Sequence, residues 1–177
     1  MTPAGVVILG ALLTGSPTAD ASGEVAGGPC AGAEPALGEI RQALDRREWD
    51  EAQKLLEPLS TEYETCVRVV VSQARLRAAR GDTDGAEEAF ARAVSLDPDA
   101  PLVQAHFAQY RLSRGQPAQA EYLSALALSL DPACPEALVV RAQLAARSDR
   151  LREARESLEK AARVEPPNAE AHYQLGV

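Results

Sequence analysis

The chain has 177 residues, of which 26 are acidic and 18 basic, giving a net charge of -8. So acidic a surface argues against a nucleic-acid partner, whose backbone is held by basic groups that displace counterions. Hydrophobic residues make up 46% and aromatics only 4%, fewer aromatics than a β-sandwich or barrel normally uses.

Residues 1–35 differ in composition from the rest. Seven of the 12 glycines precede residue 33, and no Lys or Arg precedes Arg41. The apolar stretch Ala4–Leu13 is too short to span a bilayer but matches the hydrophobic region of a secretory signal. Ala19 and Ala21 fit the small-residue pattern read by a signal peptidase, so residues 1–21 are expected to be a signal peptide cleaved after Ala21. Basic residues ahead of the apolar core are missing, and the alternative is a cytoplasmic chain with a disordered tail. Residues 22–32 read as a flexible linker rich in small residues. No run is long enough for a spanning helix, so the mature chain is not expected to insert stably in a membrane.

From residue 33 onward the sequence repeats. Ser-Leu-Asp-Pro occurs at Ser95–Pro98 and again 34 residues later at Ser129–Pro132, and Arg163-Val164-Glu165-Pro166 follows at the same interval. Ala86, Ala120 and Ala154 precede those prolines by twelve positions, and Ala93, Ala127 and Ala161 by five. This divides residues 33–177 into units starting at Ala33, Val67, Pro101 and Pro135, with a partial unit from Ala169. Each unit reads as two helices. In the second, Val67–Ala79 ends at Arg80-Gly81-Asp82, where Gly81 suits a left-handed cap, and Gly85–Leu96 carries Ala86, Ala89, Phe90 and Ala93 at helical spacing. Asp97-Pro98 stops that helix, and Pro101 opens the next. The valine run at 67–71 alone would suit a strand, but the period assigns it to a helix. The expectation is an all-α solenoid.

The spacing, the small residues Ala74, Ala108, Ala142 and Gly176, and the phrase Ala169-Glu170-Ala171-His172-Tyr173-Gln174-Leu175-Gly176 resemble the tetratricopeptide repeat. The resemblance implies a right-handed superhelix of stacked helix-turn-helix units. Departures are Ile40 at a small position, Pro58 inside a helix, Glu64 in place of Pro, and Ser124 in place of a bulky residue. The partial unit suggests that the natural protein continues past Val177 with further repeats.

No phosphate loop, zinc-protease motif or Cys-x-x-Cys occurs. His106 and His172 are 66 residues apart and read as packed imidazoles, so no catalytic residue, metal or cofactor is expected. Cys66 and Cys134 hold the same place two units apart, too far for a bridge, whereas Cys30 lies near enough to join Cys66 in an exported chain. In a reducing compartment all three would be free thiols.

Function is therefore expected to be binding. By the resemblance, the ninth position of each first helix faces a concave groove, giving Arg41, Arg75, Gln109 and Gln143, and the fifth gives an apolar rail of Leu37, Val71, Ala105, Val139 and Tyr173. Asp45 is the helical partner expected for Arg41, while Arg75 has none on its own helix. Such a groove suits a protein or peptide carrying acidic or polar groups. The only lysines, Lys54 and Lys160, fall on second helices, which departs from the family's carboxylate-clamping members. The chain reads as a non-catalytic scaffold or adaptor, periplasmic or secreted if the signal is used, with 16 Arg against two Lys hinting at a GC-rich bacterial source. The alternative is a regulatory or substrate-recruiting segment of a larger enzyme whose catalytic domain lies beyond Val177.

Overall fold

The protein is described by a computed structural model covering residues 28–164 and 169–176. The expected signal peptide and most of the linker lie outside the described residues, as do Pro166 and the His172 side chain. The described residues form α1 (Glu34–Asp45), α2 (Trp49–Glu62), α3 (Val67–Ala79), α4 (Thr83–Leu96), α5 (Pro101–Ser113), α6 (Pro117–Leu130), α7 (Pro135–Arg147), α8 (Leu151–Ala162) and α9 (Ala169–Leu175). Among them there is no strand. The valines of α3 are helical because three sit fully inward: Val69, Val70 and Val71 are 0, 1 and 2% exposed. Tertiary burial overrides their local preference.

The turn inside each unit is set by one backbone device. Arg47, Gly81, Gly115 and Asp149, spaced by 34 residues, all adopt positive φ, at 62, 82, 74 and 57°. The amide of the next residue then donates to a carbonyl five positions back: Glu48 to Ala43 at 2.9 Å, Asp82 to Arg77 at 3.0 Å, Gln116 to Arg111 at 3.0 Å, and Arg150 to Ala145 at 2.9 Å. This closes the first helix and reverses the chain for the second. α4 begins at Thr83, two residues ahead of the sequence expectation, because the Asp82 carboxylate accepts from the Gly85 amide at 3.0 Å and caps it.

Packing follows the small residues. Ala52, Ala86, Ala120, Ala93, Ala127 and Ala161 are each 0% exposed, which lets the paired helices approach closely. Odd-numbered helices also pack on one another in sequence, α1 on α3, α3 on α5, α5 on α7 and α7 on α9. Between the second and third units the seam is aromatic, with Phe90 5.0 Å from Phe107 and 5.3 Å from Tyr110, centroid to centroid. Ser124 sits where a bulkier residue is usual; it is 0% exposed and its hydroxyl donates to the Glu121 carbonyl at 3.0 Å. α2 runs through Pro58, which is exposed.

At the N-terminal end Cys30 and Cys66 form a disulfide, with Cα atoms 4.8 Å apart. It ties the residues ahead of α1 to the start of α3, over a core that includes Leu37, Ile40 and Leu56. Cys134 remains free and buried, and burial pushes its thiol up to about 12, leaving no thiolate for exchange near neutral pH.

Candidate functional site: the groove of the odd-numbered helices

Every unit contributes its first helix to one side of the solenoid, so a repeat position recurs as a row running from helix to helix. The ninth-position row is Arg41, Arg75, Gln109 and Gln143. Arg41 is exposed, while Arg75, Gln109 and Gln143 are half-buried.

The pairing of the two cations differs from expectation. Arg75 donates from Nη2 to Asp45 Oδ1 at 2.9 Å, so the carboxylate expected for Arg41 is used across the α1–α3 seam. The helical spacing overlooks this contact because positions 45 and 75 approach only once the units stack. Arg41 makes no ion pair among the described residues. A second bridge crosses the same seam, from Arg68 Nη1 to Glu34 Oε2. Sequence reasoning missed it, although the two residues are 34 apart.

The fifth-position residues require a correction. Leu37, Val71, Ala105 and Val139 are 4, 2, 0 and 2% exposed and form the packed seam between units, not an open rail. Val71 packs with Ala93 and Val103, and Ala105 with Ala127, Cys134 and Ala137. Each is closed over by the following unit. Tyr173, at the same position in α9, is 81% exposed.

His106 lies in the α3–α5 seam. It is 8% exposed and its Nδ1 is buried without a hydrogen-bond partner. Burial and the nearby Arg75 charge hold its pKa well below the usual histidine value, against a hydrogen bond with Gln109 that favours the charged form. It is thus a neutral seam residue beneath the ladder. No cluster of metal-ligating side chains occurs among the described residues. A cleft of about 720 Å³ lies at the C-terminal end, lined by Ala142, Ala154, Leu158 and Leu175, and is separate from the Arg41–Arg75 end of the ladder.

What the arrangement offers is a row of donors at repeat spacing: two guanidinium groups followed by two amides. These are the features of a right-handed α-solenoid built from paired helices, a class of repeat protein whose stacked units present extended surfaces. The chain belongs to the tetratricopeptide repeat family, whose model matches residues 37–101, 107–163 and 141–177. No curated protein matches the sequence. Among solved structures it is similar to PilW, a widely conserved type IV pilus biogenesis factor, with a TM-score of 0.60 and 17% identity over 81% of this chain. The chain spans 66% of that protein's length. It is also similar to a thermophilic TPR protein from Thermus thermophilus, with a TM-score of 0.64 and 18% identity over 81% of this chain and 79% of that one. A third similar structure is the first TPR of Spaghetti (RPAP3) bound to an HSP90 peptide, with a TM-score of 0.52 and 24% identity over 62% of this chain and 87% of that one.

Proposed function

We propose that the protein is a non-catalytic scaffold whose groove holds an extended peptide or partner helix carrying an acidic group. Arg41 carries this reading: an exposed guanidinium in the ninth-position row with no carboxylate paired to it among the described residues. A carboxylate docked there gains a charge-assisted hydrogen bond without first breaking an internal one. Gln109 and Gln143 continue the row, and an amide offers both a donor and an acceptor to a passing backbone. The peptide held by the Spaghetti domain supports peptide binding as a use of this fold, though the chain carries no lysine on its odd-numbered helices.

On the same reading the mature chain works outside the cytoplasm. Ala4–Leu13 followed by Ala19 and Ala21 supports export, and the Cys30–Cys66 bridge is of a kind that persists in oxidising compartments. A library of random peptides panned on the protein tests the groove: acidic sequences are expected to dominate the retained pool. Retention of mainly basic sequences, or of none, removes the reading.

A further inference from the structure

The inner seams of the solenoid are covered in one way, and at the C-terminal end that cover is missing among the described residues. At each inner seam the tenth position of a first helix reaches back over the unit before it. Tyr110 packs with Ala74, Ala86 and Phe90, with Ala78 beside them, and its hydroxyl donates to the Thr83 carbonyl at 3.3 Å. One unit later, Leu144 packs against the cluster of Ala108, Leu112 and Ala120. Two periods after Ala74, Ala78, Thr83, Ala86 and Phe90 come Ala142, Ala146, Leu151, Ala154 and Leu158, and these five line the C-terminal cleft of about 720 Å³. The cleft is thus the same surface without the side chain that covers it. Ala146 is exposed where Leu112 is buried, and Leu151 is 63% exposed. Leu175, two periods after Phe107, stands at its edge. Gly176 then takes a φ of 77° and its amide donates to the Tyr173 carbonyl at 3.1 Å, so α9 closes before it reaches a tenth position.

We propose that this cleft docks an amphipathic helix of a partner protein, whose large apolar side chain takes the place that Tyr110 and Leu144 hold at the inner seams. Those seams define the chemistry of the cover: a ring or a branched aliphatic chain, carried on a helix, over a floor of small residues that leaves room for it. Charge at the rim does not choose the partner, because Arg155 and Glu159 pair with each other at 2.8 Å. Recognition therefore rests on shape and apolar burial. A second copy of the chain does not supply the cover. Its α1 has Gln42 at the tenth position and Pro35 at the third, both exposed, where later units have Leu76, Tyr110 and Leu144, and Val69, Val103 and Ala137. The free face of α1 thus offers no bulky apolar side chain, and in α3, α5 and α7 the same face is packed within its own stack. The solenoid has one finished end and one receptive end. The inference does not rest on the groove, which lies apart from the cleft.

The probe is a synthetic peptide with the sequence of residues 101–114, which includes Tyr110, held helical by a hydrocarbon cross-link on the face away from that ring. Calorimetric titration into the full chain is expected to give a Kd of about 100 μM or tighter. Tyr110→Ala in the peptide should weaken binding by about tenfold or more, and so should Ala146→Glu in the protein. Ala146 is exposed, so that variant should keep the wild-type circular dichroism. Hydrogen exchange should show protection in α7 and α8. Ala146→Cys should react with a water-soluble thiol reagent at the rate of an open surface cysteine. No binding at about 1 mM peptide overturns the proposal. So does binding indifferent to either substitution, or protection confined to α1 and α3. Slow labelling of Ala146→Cys would show the cleft covered by the chain itself or by a second copy, and overturns it as well.

Discussion

Arg41 and Arg75 occupy the same repeat position and have different surroundings, so they should respond differently to the same change. Arg41→Glu reverses an exposed charge with no internal ion pair among the described residues. It is expected to weaken binding of a selected acidic peptide by about 1.5–3 kcal/mol, the range for losing a charged hydrogen bond. Its melting midpoint should stay where it was. Arg75→Glu instead places a carboxylate against Asp45, replacing the 2.9 Å bridge with a repulsion. Because both groups are partly solvated, the expected stability loss is modest, about 0.5–1 kcal/mol. Calorimetric titration and thermal melting of the two variants separate these outcomes. His106 supplies a pH dependence. Its folded pKa is depressed, so the folded protein holds a neutral imidazole where the unfolded chain takes up a proton below about 6.5. The stabilisation is complete above that pH and is lost as pH falls below it. His106→Val, matching Val140 at the same repeat position, should flatten the loss between about pH 6.5 and 5 in urea titrations. An unchanged slope would show that other groups take up the protons.

At the scale of the element, the positive-φ turn makes a sharp prediction. Gly81 and Gly115 adopt that conformation at no steric cost, but Arg47 does so at φ 62° with a Cβ present. Arg47 is exposed and lies outside the core, so Arg47→Gly should raise stability by about 0.5–1 kcal/mol in denaturant unfolding, and a loss would place its side chain in a role not visible in the packing. The turn also shows how far the sequence could be read. Gly81 announced the cap through its residue type; the same turn at Arg47 and Asp149 was legible only through the period. The helices were legible for the same reason, since four units repeat one pattern and each corrects the local ambiguity of another, as at the valines of α3. The candidate site was less legible. Register proposes a ninth-position row, but the Asp45–Arg75 bridge and the burial of Leu37, Val71 and Val139 arise between units. Spacing within one helix carries no information about which side chain on the next helix lies opposite.

For the whole molecule, stability is set by neighbouring units, and the N-terminal end carries an extra restraint. The Cys30–Cys66 disulfide closes a loop with a sequence separation of 36, worth about 3–4 kcal/mol on the chain-entropy account. Reduction should lower the melting midpoint and first loosen α1 and α2, because unit stability passes mainly between neighbours. Hydrogen exchange would report that loss as faster exchange confined to this end. The central claim is that a partner lies along the odd-numbered helices. Hydrogen–deuterium exchange of the full chain, free and bound to a peptide selected from the library, reads this directly. Protection is predicted in α1, α3, α5 and α7, with α2, α4, α6 and α8 changing little. Protection concentrated on the even-numbered helices, with α1 and α3 unchanged, would contradict the account.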